Sequence, residues 1–486
     1  MEYKWTALSN TTIGVLMSSL DTNIVLISLP SIATQLKGIT TIDVLWIILG
    51  YQLVIASVLV NFGRLADMFG RVRLYNMGFA IFTIGSGLCS ISGDASELIG
   101  FRLIQAVGAG FLFSNSAAII TDAFPPAERG RALGINQVSI VVGSVAGLIL
   151  GGVLTTTLGW RSIFWVNLPI GGFATIWAYF KLKELSSPPR TKSLDISGNV
   201  IFVSALAILL LAVTTEAIKG LSGFFLYSLL MTSFFLFIAF VIVERRIKDP
   251  MFDLSLFKNK DFDAGNITIF LNSLSRGSFI LVMVFFLQGP VFGYTPLQAG
   301  IYLIPLSLSL SIMGPISGIL SDRYGHRPFV IVGLLMSALG FFIMTRIGTS
   351  ISFFTTLAPL LLIGGGMGLF ASPNRASIMN SVPGPRRGVA SGISTTLVNV
   401  GNTVSIGLAF IIMSSNTPRS ILDSIFSGLP VKDNTFSINS FVYSLHLVFY
   451  ASMTMLLVSV LFYTFGLSPR KKRKKRDENE KRGDPD

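Results

Sequence analysis

The chain alternates between long apolar runs and short polar or charged breaks. Each run is continuous for about 18–25 residues, the length a helix needs to cross a bilayer. Hydrophobicity does not alternate residue by residue, so the runs read as helices and not as barrel strands. Lipid offers backbone groups no partner, which restricts spanning segments to those two forms. Fourteen spans are predicted, at 8–31, 43–62, 74–92, 98–120, 132–157, 163–180, 197–215, 222–243, 264–288, 298–320, 329–346, 353–377, 389–414 and 441–465.

Composition supports the same picture. Of 486 residues, 51% are hydrophobic and 13% charged, against about 25% charged in a typical soluble protein. An all-α polytopic membrane protein is predicted. A net charge of +13 would suit a nucleic-acid partner, but its placement excludes that. With the N-terminus in the cytoplasm, 28 of the 37 lysines and arginines fall on the cytoplasmic side, six on the other, and three inside spans. Such a bias predicts a multi-pass protein of the cell membrane with both termini cytoplasmic. The first run contains Asp21 and shows no cleavage pattern, so it is expected to stay as a helix. Cys89 is the single cysteine. Metal-ligand spacing, a phosphate-binding loop, a dinucleotide fingerprint and a catalytic constellation are all absent from the sequence. Neither an enzyme nor an ATP-driven pump is expected, and no cofactor or metal.

Two repeats organise the chain. Gly63, Asp67, Gly70 and Arg71 recur as Gly318, Asp322, Gly325 and His326, 255 residues on. Gly130, Ala132, Gly134 and Gly143 recur as Gly388, Ala390, Gly392 and Gly401, 258 residues on. Both shift by eight spans, where two plain six-span repeats would shift by six. Two spans are therefore inserted between the halves. The predicted organisation is a six-helix bundle at 1–185, two inserted helices at 186–248, a second six-helix bundle at 249–466, and a disordered basic tail at 467–486.

These residues resemble the major facilitator superfamily, and within it the fourteen-span drug:proton antiporter branch. Gly63 to Arg73 resembles the family's loop motif between spans two and three. Arg102, Gln105 and Gly108 resemble its fourth-span motif. Gly143, Gly147, Gly151 and Gly152 resemble its antiporter motif, with Leu148 where that motif has proline. Asp21 to Pro30 resembles the branch's first-span pattern, from which Asn23, Leu26 and Ser28 depart. Trp160, Arg161, Phe164, Asn167, Pro169 and Gly171 fit the branch too, as does the stretch from Pro250 to Phe262. The resemblance implies two pseudo-symmetric bundles that rock about a central site.

Several residues then stand out. Asp21 is an acid near mid-span, where an ionised carboxylate costs at least about 2.5–3.5 kcal/mol unless it faces a cavity or a partner. Gly14, Ser18, Asp21 and Ser28 fall roughly along one helix face. Asp21 is expected to handle a proton; the competing reading is a permanent ion pair with an arginine such as Arg102. Arg102 either snorkels to the surface or, as the resemblance implies, tunes the acid, with Gln105 a neutral neighbour. Gly143, Gly147 and Gly151 recur every four residues and make a smooth face for close helix packing; the resemblance adds a sealing role shared by Gly152. Gly63, Asp67, Gly70 and Arg71 are the expected gating loop, with Asp322 in its weaker copy. Arg276, with Gln105 and Asn23, is assigned to a substrate cavity. Arg375 is expected to snorkel. The segment from Pro250 is expected to lie along the membrane surface, and the tail to bind anionic lipid.

The function expected is secondary active transport: proton-coupled efflux of small lipophilic compounds by alternating access. The alternative is a metabolite exporter or importer of the same fold with different or no proton coupling. Expected partners are a small-molecule substrate, protons and lipid. Oligomeric state is not legible in the sequence.

Overall fold

The computed structural model describes residues 2–466 except 126–127, 186–194, 220–222, 248–249, 251, 290, 350–351, 384–385 and 427–434. The basic tail, and the lipid binding expected of it, lie outside the described residues.

All regular structure among the described residues is helical, and fourteen helical segments are long and apolar enough to span a membrane. The first six spans are α1 (Tyr3–Gln35), α2 (Thr41–Phe69), α3 (Arg71–Ile91), α4 (Ala95–Ala123), α5 (Arg129–Leu158) and the pair α6 (Ser162–Trp165) and α7 (Asn167–Lys181). Two more follow, α8 (Ile196–Lys219) and α9 (Gly223–Arg246). The last six are the pair α10 (Lys260–Arg276) and α11 (Phe279–Gln288), then α12 (Pro296–Tyr324), α13 (His326–Met344), α14 (Phe353–Asn380), α15 (Arg387–Asn416) and α17 (Thr435–Gly466). A short α16 (Arg419–Phe426) lies in the long loop after α15. Many helices run past the apolar stretches because polar residues at the ends carry their own caps. Thr40 and Asp43 form a capping box at α2, and Thr295 and Gln298 form its counterpart at α12, again 255 residues apart.

The repeated hinge has one backbone conformation in both copies. α2 ends at Gly70 with φ 104°, and α12 ends at Gly325 with φ 87°. Each glycine ends one helix and starts the next, a left-handed position that a side chain would strain. The Glu184 carboxylate accepts the Val72 amide at 2.9 Å and so places negative charge at the N-terminus of α3.

Glycine contacts set the packing in both halves. A Cβ on Gly143 would come within 2.6 Å of the Leu16 carbonyl and 3.1 Å of Ser19 Cβ. Its repeat, Gly401, faces Ser273 and the Phe270 carbonyl in the same way. Gly78 of α3 meets Gly108 of α4, and Gly333 of α13 meets Gly366 of α14.

The halves meet closely at the end opposite the termini. There α5 packs along α12, with Gly152 against Leu297 and Gly300 against the Leu148 carbonyl. Gln288 donates to the Ile27 carbonyl at 2.8 Å. Thr41, at the start of α2, donates to Asp423 of α16. Nearer the middle, Thr403 of α15 donates to Gln52 of α2 at 3.3 Å.

The two central helices pack on each other, and α8 packs against α2 and α15. The outward face of α9 carries Phe224, Phe225, Tyr227, Phe234 and Phe235, all exposed, as suits a lipid-facing surface. Polar contacts at the termini's end tie the pair to the rest. Glu244, buried at the end of α9, accepts the Phe252 amide at 3.0 Å and lies beside buried Asp195, which caps α8 through the Gly198 amide. Arg64 of the hinge donates to the Pro250 carbonyl, and Asn199 to the Ser57 carbonyl. Glu244→Ala would strand the Phe252 amide, at a cost of about 1–3 kcal/mol. We expect a fall of several degrees in the thermal unfolding midpoint of the purified protein. The segment expected to lie along the membrane forms a short 3-10 helix, Leu254–Lys258, capped by Asp253, with Leu256 buried.

Candidate functional site

A fully buried polar cluster is built around Asp21 of α1. Its side chain is 0% exposed. Arg102 of α4 donates to Oδ2 at 2.6 Å, Gln105 to Oδ1 at 2.8 Å, and Asn167 to Oδ1 at 3.0 Å. Arg102 also donates to Gln105 Oε1 at 2.7 Å, and its guanidinium lies 4.0 Å over the Tyr51 ring of α2. The carboxylate of α1 is thus held from α4 and α7, and α2 covers the guanidinium that pairs with it.

Local sequence explains how each group arrives. Arg102 and Gln105 lie three residues apart on α4, so both face α1. Asp94 caps that helix by accepting the Glu97 amide at 2.9 Å. The Ser96 hydroxyl and the Glu97 amide hold the Asp94 carboxyl below the usual carboxylate range. Asn167 starts α7 at a break after α6, and Pro169, which lacks a backbone donor, fits the first turn there. Asn167 donates as well to Ser86, which itself donates to the Phe164 carbonyl.

Of the competing readings of Arg102, the structure has the buried pair and not the snorkelling side chain: Arg102 is 2% exposed. Gly14 faces Tyr75, and Ser28 bonds Thr155 of α5 at 2.6 Å. Gln105 is fully buried and committed to Asp21 and Arg102. Asn23 is turned onto the Ser19 carbonyl of its own helix and packs against Gly147. Of the three residues assigned to a cavity, only Arg276 is partly exposed. Arg375 reaches Ser391 and Thr395 of α15.

A second cluster sits at the hinge. Arg71 donates to Asp67 at 2.8 Å and grips both oxygens of Asp122, at the end of α4, at 2.8 Å each. Asp322, the repeat of Asp67, is exposed and has no ion-pair partner among the described residues; His326 stands where Arg71 stands and contacts Asn380 at 3.4 Å. Gly63 has open space around it, whereas Gly70 is held by its φ and by Glu184. Gly147 meets the Leu20 carbonyl, and Gly151 meets Ile24 and Ile27.

The profile of the Major Facilitator Superfamily matches residues 11–263 and 265–485. The chain belongs to that superfamily. This facilitator is similar to the riboflavin transporter RibZ of Clostridioides difficile, 33% identical over 413 residues that cover 84% of this chain and 88% of the relative. It is also similar to the multidrug resistance protein Stp of Mycobacterium tuberculosis, 33% identical over 399 residues, 82% of this chain and 74% of the relative. A crystal structure of a bacterial homologue of the human lysosomal transporter Spinster, inward-facing and occupied, shares the fold at TM-score 0.67 and 17% identity, covering 96% and 97% of the two chains. The facilitator is a multi-pass membrane transporter, with the family and fold of transporters and not of enzymes.

Sequence reasoning missed Tyr51, Ser86 and Asp122, and it assigned Asn167 no role beyond matching a pattern. Their one signal is polarity inside or at the edge of an apolar run. Asparagines, serines and tyrosines are common enough there to carry little weight singly.

Proposed function

We propose that this transporter exports small lipophilic compounds in exchange for protons, by alternating access around a path between its first six and last six spans. The observation that carries the reading is Asp21, fully buried and satisfied by three donors. Three donors fit the ionised carboxylate. A protonated Asp21 would turn a hydroxyl toward one of them and loosen α1 from α4 or α7. Proton binding is thereby tied to helix movement. The termini's end is taken as cytoplasmic, and the tight contact of α5 with α12 as the state closed to the outside. The similarity to a multidrug resistance protein supports the substrate class.

A second reading is a metabolite carrier with other or no coupling. The similarity to a riboflavin transporter and the leucine at Leu148 favour it.

The hinge cluster acts as a latch in this scheme. Asp122→Asn removes one arm of the Arg71 grip. With these side chains about a quarter exposed, the loss in stability is expected within about 1 kcal/mol. Transport is expected to slow several-fold, read as initial rates against unfolding curves for the same preparation. Coupling itself is tested in proteoliposomes with an imposed pH gradient, reading internal pH while a panel of lipophilic compounds is added. Substrate-triggered proton movement supports antiport; substrate flux without it supports the second reading.

A further inference from the structure

The two halves treat charge differently, and the difference points at the substrate. The glycine contacts fix the structural register between them. Gly143 meets Leu16 and Ser19, and Gly401 meets Phe270 and Ser273, so α1 and α10 correspond with a shift of 254. Gly108 and Gly366 occupy matching contacts, so α4 and α14 correspond with a shift of 258. Asp21 then falls on Ser275, which is buried and bonds within its own helix. Arg102 and Gln105 fall on Leu360 and Ile363, both buried and apolar. At these corresponding positions the second half carries no charge.

Arg276 stands one residue further on, at the counterpart of Thr22. One residue on a helix is a turn of about 100°. Its side chain therefore leaves on a different face from that of Asp21, which is turned into its own bundle. Both Thr22 and Arg276 are partly exposed, unlike Asp21. By helix rise Arg276 lies about 18 Å from the Gln288 end of its span, so it is within the apolar layer. Among the described residues no carboxylate pairs with it, and its Nε has no partner. The Nδ2 of Asn272, one turn below and 3% exposed, also has none. The span breaks beside it, α10 ending at Arg276 and α11 beginning at Phe279, so the negative end of α10 and the positive end of α11 both lie there, with the Ser278 amide donated to Ser405 at 3.0 Å.

Asp21 is neutralised by Arg102, while Arg276, at the negative end of α10, has no carboxylate partner among the described residues and has unspent donors at its side. A lone cation in the apolar layer is costly unless something met during function balances it. We propose that Arg276 is the anion-binding residue of the transport path, and that the compounds carried are lipophilic organic anions bearing a carboxylate, sulfonate or phosphate. The guanidinium fork takes the oxyanion, and Asn272 adds a neutral donor. The proposal rests on the reading of the path as lying between the halves.

Three probes separate the outcomes in proteoliposomes of the full chain: 8-anilinonaphthalene-1-sulfonate, its neutral parent N-phenyl-1-naphthylamine, and ethidium. Wild type is expected to move the sulfonate fastest. Arg276→Gln is expected to cut the ratio of sulfonate to neutral-parent transport about tenfold or more, the factor for losing a charge-assisted bond. Arg276→Lys keeps the charge and is expected to retain much of the sulfonate rate, and unfolding curves confirm that both variants are folded. An unchanged sulfonate-to-parent ratio in Arg276→Gln overturns the assignment, as does a wild type that prefers ethidium. Internal pH recorded in the same vesicles keeps the two readings apart. Sulfonate flux without proton movement retires antiport and leaves Arg276 standing; proton-coupled ethidium export does the reverse.

Discussion

Asp21→Asn is expected to reduce transport driven by a pH gradient to background while leaving gradient-independent exchange of substrate measurable. Asparagine keeps the shape but cannot gain or lose a proton. It also leaves the Arg102 guanidinium buried without its counter-charge, and breaking one side of such a pair costs about 3–5 kcal/mol. The variant is therefore expected to unfold at lower temperature, so flux alone is an ambiguous readout. Exchange between equal substrate pools settles this, because it needs the conformational cycle but no net proton movement. The double variant Asp21→Asn with Arg102→Gln removes both charges and is expected to regain much of the lost stability without regaining gradient-driven flux. Gradient-driven flux persisting in Asp21→Asn would make the pair a structural tie and move coupling elsewhere.

Gly152→Val is expected to stop the halves from closing at the end opposite the termini. A Cβ at Gly152 would lie 2.6 Å from Leu297 Cα and 2.9 Å from the Pro296 carbonyl, so the obstacle is backbone, which cannot rotate away. Overpacking of this kind costs about 1–3 kcal/mol. The strain arises only where α5 touches α12, so it acts on the closed state alone and shifts the population toward the opened one by about tenfold per 1.4 kcal/mol. Gly300→Val, facing the Leu148 carbonyl at 2.6 Å, is expected to act alike. Gly134→Ala, with open space around it, is the neutral control. In a Cys89→Ser background carrying Ile27→Cys, the two valine variants are expected to raise labelling by an impermeant thiol reagent and to lower transport. Unchanged labelling in both would mean that these contacts do not form the seal.

How much of this was legible follows from the physics of each signal. Fourteen spans were readable because each is a long local run, and local runs survive any tertiary arrangement. Helix ends were not, since Thr40 with Asp43 and Thr295 with Gln298 extend helices into polar sequence. The breaks before Asn167 and after Arg276 interrupt runs that look uniform in hydropathy. Asp21 was readable because a mid-span acid demands a partner, and Arg102 was a fair candidate. Gln105 was readable as their neutral neighbour from its place one turn along from Arg102. The donor Asn167 on Oδ1 was not, because an asparagine does not demand a partner as strongly as a charge does. The anchoring of the central helices through Glu244, Asp195 and Arg64 joins residues far apart in the chain, so no pattern in sequence could reveal it.

The spacing of the Asp21–Arg102 pair, 81 residues, also bears on how the protein is made. Synthesis delivers α1 to the membrane well before α4. Until then the carboxylate has no guanidinium to meet, and release of α1 into lipid alone would cost at least about 2.5–3.5 kcal/mol. α1 is therefore expected to remain beside the insertion machinery, or to enter with its acid protonated, until the fourth span is complete. Chains arrested after the third span should then be extractable from the membrane more readily than chains arrested after the fourth, and Asp21→Leu should erase the difference.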